Sequence, residues 1–289
     1  VQLPAVKMPQ VQTGTLNYGL QATDLGQGWH VVAGAVEDFA VANGCNIINT
    51  GVWVGPQSIW VFNTGPSRLY GVQQKALVDQ LAAGKPIDKV VALNLHPDYF
   101  LGNQAYPAQA LVSTAKTLEG MRRESKAYED NLFKLCGDWM QGTESALPAE
   151  PVTLGQLSQA SGGRFQWLEL EGHTDSDLAV FDFQTGILWA GGLVFYNRVV
   201  TVPHARIPAW IKSLKVLKTL NPRVVVPSHG PVHAGSAGID QTLDYLTWLD
   251  GHLTQAARMG LTANEVMEQG VPQRFRTFAA YPAEFNRNV

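Results

Sequence analysis

The residues best placed to do chemistry lie in the stretch 90–103, Val-Val-Ala-Leu-Asn-Leu-His-Pro-Asp-Tyr-Phe-Leu-Gly-Asn. Its first four residues are apolar and read as a buried strand. Asn94, His96 and Asp98 follow where that strand ends, and in a layered α/β protein polar side chains at the carboxyl ends of strands meet a crevice. Two further histidines sit in turn-like settings: His173 after Gly172, and His229 within Pro227-Ser228-His229-Gly230-Pro231. Each has an ordinary alternative. His96 and Asp98 would serve as hydrogen-bonding partners of nearby loops, Asp98 also as the cap of a short helix starting near Leu101, and His173 as a satisfied polar group.

Strands and helices must position these side chains. Segments 15–23, 29–36, 46–54 and 57–62 read as strands, the last ending in the turn Asn63-Thr64-Gly65-Pro66-Ser67. Ser67 is placed to cap a helix over 68–83, closed by Lys85-Pro86. A strand over 90–95, a short one over 111–114 and a long charged helix over 117–141, marked by Gly120 and Gly142, complete the first half. Pro148 and Pro151 lie in a connector. The second half shows strands at 165–170, 178–182 and 187–193, a helix over 206–220, a short strand at 224–226 and a helix over 239–258. Strands followed by helices in both halves predict an α/β fold, two mixed β-sheets face to face with helices outside (αββα), one domain over 1–289 with similar halves at about 1–145 and 151–289.

Composition narrows the function classes. The 289 residues are 45% hydrophobic and 16% charged with a net charge of −3, which suits a packed globular chain and excludes a disordered one. There is no basic run to recruit nucleic acid or an anionic membrane surface, and no apolar run approaches the roughly 20 residues of a spanning helix. The absence of an initiator Met suits either a removed signal peptide or a trimmed chain. Cys45 and Cys136 are the two cysteines. They suit either one disulfide in an exported protein or two free thiols in a cytosolic one.

Four segments, in order, resemble motifs of the metallo-β-lactamase superfamily: Asn63-Thr64-Gly65 its Asp-Thr-Gly turn, 94–103 its His-x-His-x-Asp-His…Gly-Asn motif, Gly172-His173-Thr174 its Gly-His-Thr segment, and 227–230 its Pro-Gly-His-Gly loop. Residues 188–195 resemble the Phe-Ala-Gly-Asp-Leu-Val-Phe run, whose Asp bridges two metals. The phrases at 63–71, 137–144 and 202–204 are most similar to the quinoprotein relay system zinc metallohydrolases, relatives of sulfur-oxidation-associated hydrolases.

The resemblance implies a two-zinc hydrolase centre, in which metal lowers the pKa of bound water to about 7. It maps the first zinc onto Asn94, His96 and His173, the second onto Asp98, Tyr99 and His229, and the bridge onto Gly192. Three of those seven roles lack a good donor, because an amide oxygen, a phenol and a glycine are poor or absent zinc ligands. Cofactor content is therefore expected to be none or one zinc ion. One ion would be shared by His96, Asp98, His173 and His229 in a filled, structural shell. Asn63 would support the loops from behind, with Ser228, His204 and Tyr196 around the pocket. Tyr99, Phe100, Trp189, Phe195, Tyr196 and His204 are expected to give it an aromatic wall suited to planar ligands.

The expected function is a non-hydrolytic binding or accessory protein, periplasmic or secreted. Its partner would be a small-molecule ligand or a periplasmic quinoprotein dehydrogenase of quinone-cofactor alcohol oxidation. The alternative is a single-zinc hydrolase of an ester, thioester or amide. A metal-free triad through Ser228 lacks the strand–turn–helix setting of a nucleophile elbow.

Overall fold

A computed structural model describes residues 2–289. The chain begins with β1 (Ala22–Gly26), β2 (Trp29–Val32), β3 (Thr50–Val54) and β4 (Ile59–Phe62), then α1 (Arg68–Ala82), β5 (Ile87–Val91), α2 (Pro97–Phe100), β6 (Leu111–Val112) and α3 (Ala115–Cys136). It continues through α4 (Leu154–Ala160), β7 (Phe165–Leu170), β8 (Asp177–Asp182), β9 (Ile187–Trp189), α5 (Ile207–Thr219), β10 (Val224–Val226), β11 (His233–Ala234), α6 (Ala237–Arg258), α7 (Ala263–Gln269) and α8 (Ala283–Asn288). Strands β1 to β6 form one sheet in sequence order, antiparallel as far as β4 and parallel from β4 to β6. The second sheet runs β11-β10-β9-β8-β7, with β9 and β10 parallel and the other pairs antiparallel.

Side-chain alternation explains why these strands read as unbroken apolar runs. In β4, Trp60 and Phe62 face the other sheet, while Ile59 and Val61 face α1 through Val78 and Ala82. In the second sheet, Leu178, Val180, Trp189, Val224 and Val226 face inward, while Ala179, Phe181, Leu188 and Val225 meet α5 and α6 through Trp210, Leu214, Leu246 and Leu249. A strand buried on both faces has no polar side to show. Aromatic rings dominate the layer between the sheets, Trp29 and Phe62 lying 5.4 and 6.0 Å from Trp189 between centroids. Gly51 is glycine because the Trp189 ring lies 2.3 Å from where its Cβ would stand. The αββα sandwich expected from the sequence is the observed architecture.

Several boundaries move. Ser67 caps α1 as expected, its Oγ accepting from the Tyr70 N–H at 3.0 Å. The first expected strand is instead a 3-10 turn at Thr13–Thr15 followed by β1. The long helix starts at Ala115, passes through Gly120, where Leu95 packs at 2.9 Å from the missing Cβ, and ends at Cys136. Asp98 caps nothing near Leu101: it lies in the first turn of α2, whose N-cap is His96. Cys45 and Cys136 form a disulfide that ties the loop before β3 to the end of α3.

Candidate functional site

The site is assembled from loops leaving β5, β7 and β10. Asn63, just past β4 and at a φ of 63°, accepts a hydrogen bond from the Leu93 N–H at 3.0 Å and so fixes the chain's exit from β5. Asn94 then folds back: its Oδ1 accepts from the His96 N–H at 2.8 Å, and its Nδ2 donates to the buried Asp177 carboxylate. Asp177 Oδ2 also accepts from the Thr174 N–H at 2.9 Å, which ties the His173 loop to the same carboxylate. Asn49 latches the third loop, donating from Nδ2 to the carbonyls of Pro227 (3.0 Å) and Gly230 (2.8 Å) around His229.

The histidines have different surroundings. His229 is buried and stacks on Phe195 at 4.8 Å. Burial lowers its pKa against the pull of Asp98, so the ring is neutral at pH 7. Its partners assign the tautomer: Nε2–H donates to Asp98 Oδ2 and Nδ1 accepts from Ser228 Oγ, both at 2.9 Å. His96 is half-buried and burial lowers its pKa to about 4; its Nε2 lies 3.0 Å from Nδ1 of the exposed His204. His173 is 1% exposed, stacked on Trp210 with its ring centroid 4.3 Å from that of His96, and neither ring nitrogen has a hydrogen-bond partner among the described residues. Burial holds its pKa well below the usual imidazole value.

His96, Asp98, His173 and His229 line one cleft of about 290 Å³. The other residues the sequence pointed to lie elsewhere. Asn94 is buried beneath the cleft and Gly192 packs against Asn94, His173 and Asp177. Ser228 is buried behind His229, so its hydroxyl is unreachable as a nucleophile. His204 borders a smaller cavity on the far side of His96, and Tyr196 packs on His233 at 4.1 Å.

The expected aromatic wall is absent. Tyr99 and Trp189 sit in the core between the sheets, Phe100 packs towards α3, and Phe195 lies behind His229. The helical turn of α2 sends Tyr99 and Phe100 inward. The cleft wall instead sets the charged Asp38, Arg198, Glu284 and Arg287 among apolar Phe39, Ile47 and Leu135. Arg198 is 3% exposed, with Nε donating to Glu37 O (3.0 Å) and Nη1 to Val199 O (2.9 Å), while Nη2 lies 3.5 Å from Glu284. Arg287 donates to Asp38 at 2.6 Å and also pairs with Glu284. Sequence reading missed these four because two lie on the short C-terminal helix and two in loops without a recognisable motif. Asp177, within Thr174-Asp175-Ser176-Asp177, looks like any polar turn residue.

These residues do not fit a pair of zinc ions. The Asn94 amide is committed to Asp177 and to the His96 N–H. The Tyr99 phenol is fully buried, and burial keeps its pKa well above 10, hence neutral. Gly192 offers no donor. Among the described residues no group of three His, Cys, Asp or Glu side chains is arranged to hold a metal ion.

No family model and no curated protein matches the chain. Solved structures do. It is similar to a metallo-β-lactamase from Erythrobacter litoralis solved with β-mercaptoethanol in the active site (TM-score 0.61, 18% identity, covering 79% of this chain and 96% of that one). It is also similar to TMB-1 (TM-score 0.55, 17% identity, 80% and 98% covered) and to the DIM-1 metallo-β-lactamase (0.56, 16%, 79% and 97%). With two mixed sheets, outer helices and a crevice at the strand ends, the chain has the metallo-β-lactamase fold.

Proposed function

We propose that this chain is a non-hydrolytic binding or accessory protein built on the metallo-β-lactamase fold. The observation that carries the reading is chemical: Asn94, Tyr99 and Gly192 stand where the family resemblance assigns zinc donors, yet the Asn94 amide is bonded to Asp177 and the His96 N–H, the buried Tyr99 phenol is neutral and glycine has no donor. The cleft that remains, about 290 Å³, combines charged groups with apolar Phe39, Ile47 and Leu135 and is of a size for a small molecule. Its walls suit a ligand that pairs an apolar body with hydrogen-bonding or charged groups. The Cys45–Cys136 disulfide supports an oxidising compartment such as the periplasm. The narrower resemblance to quinoprotein relay proteins is the reason to try quinone cofactors and a quinoprotein dehydrogenase first as ligand and partner.

One observation favours a second reading. Among the described residues His173 keeps two buried ring nitrogens without partners next to His96, which is what a ligand waiting for an ion would show. With Asp98 and His229 rotated apart, one zinc ion held by three of His96, Asp98, His173 and His229 would keep the open position that catalysis needs, and a single-zinc hydrolase of an ester, thioester or amide is the competitor. The test is turnover of a panel of esters, thioesters and β-lactam amides with zinc added in excess. No turnover above the His229→Ala variant is expected, and zinc-dependent turnover lost in that variant would overturn the binding-protein reading.

A further inference from the structure

Gly192 lies in a 3-10 turn, Gly191–Leu193, just after β9, and its own backbone does not require glycine: Gly191 beside it has a φ of 53°, whereas Gly192 is not in the left-handed region. Packing requires it. A Cβ on Gly192 would lie 2.5 Å from His173 Nδ1, 2.7 Å from Asn94 Nδ2 and 2.7 Å from Asp177 Oδ1. Atoms cannot approach a Cβ so closely, and none of the three is free to yield. His173 is held against Trp210 and Phe195, while Asn94 and Asp177 are fully buried and bonded to each other.

A single carboxylate is common to all of this. Asp177 accepts from Asn94, which holds the His96 backbone, and from the Thr174 N–H, which holds the loop of His173. We infer that Asp177 is the positioning residue of the cleft floor, and that it is coupled to Gly192, whose missing side chain leaves the space that His173, Asn94 and this carboxylate fill together. This holds whether the cleft binds a ligand, an ion or neither.

The test is a double-mutant cycle on the whole chain, Gly192→Ala, Asp177→Ala and both together, read by thermal unfolding. Each single change is expected to lower the midpoint, by on the order of 5 °C. The double variant is expected to lose less than the sum, because removing the carboxylate takes away one of the three close contacts and unties Asn94, which makes the second. Additive losses would overturn the pairing. If either single variant fails to fold, Asp177→Asn decides. It keeps the volume, but its one oxygen can no longer accept from both Asn94 and Thr174. By NMR, either the Asn94 side-chain amide signal should move or the Thr174 amide should exchange faster. Both unchanged would show that Asp177 does not position these loops.

Discussion

Replacing His173 with Phe should make this protein more stable. The side chain is 1% exposed, wedged between Trp210 and Phe195, and both ring nitrogens are buried without partners among the described residues. A buried polar group left unpaired costs about 1–3 kcal/mol. Two such groups give a gross gain of roughly 2–6 kcal/mol when an apolar ring replaces them. The phenyl ring is slightly larger, and overpacking a filled core costs about 1–3 kcal/mol. Mid-range values of about 4 and about 2 kcal/mol leave a net gain of about 2 kcal/mol, at about 2–4 °C in midpoint for each kcal/mol in a chain of this size. Calorimetry of both proteins, with and without saturating zinc, is the assay. A lower midpoint for His173→Phe, with zinc stabilising only the parent protein, would refute the reasoning and make His173 a ligand.

Three further outcomes follow from the same geometry. Asp98→Ala leaves the buried His229 Nε2–H without its 2.9 Å acceptor and should cost about 1–3 kcal/mol by urea unfolding; an unchanged midpoint would deny the pair any structural role. Replacing Cys45 and Cys136 with Ser removes a cross-link across 91 residues, worth about 4–5 kcal/mol by loop-closure entropy, and unfolding with and without reductant checks it. Acidification should destabilise: His96 (to about 4), His173, His229 and His233 all have pKa values lowered by burial, so the unfolded chain takes up protons first and stability falls as pH drops from about 6.5 towards 4. Asp177 acts in the opposite sense: burial raises its pKa to about 7, so its contribution is lost as pH rises from about 4 to 7. Four histidines outweigh one carboxylate, and a midpoint higher at pH 4.5 than at pH 7 would contradict the balance.

What the sequence revealed depended on how local its signals were. Val224–Val226 was readable to the residue because three β-branched side chains buried on both faces and a following proline leave no alternative. Helix α1 was readable from its Ser67 cap, and only its last residue moved. By contrast β11 has two residues and α8 six, too short for any periodicity, yet α8 brings Glu284 and Arg287 to the cleft. The polar cluster at Asn94, His96 and Asp98 announced a site because it interrupts a strand. Its electrostatic character was not legible, since it depends on Asp38, Arg198, Glu284 and Arg287 meeting from three distant segments. The aromatic wall failed for a related reason: sequence places Tyr99 and Phe100 near the site, and only the turn of α2 shows that they face the core.

Zinc content tests the central reading most directly. Protein prepared without chelator, incubated with excess zinc and dialysed, would be measured by elemental analysis beside its His229→Ala and Asp98→Ala variants. The account predicts far less than one zinc per chain in all three. One stoichiometric zinc in the parent protein, lost in either variant, would contradict it and return the cleft to metal chemistry.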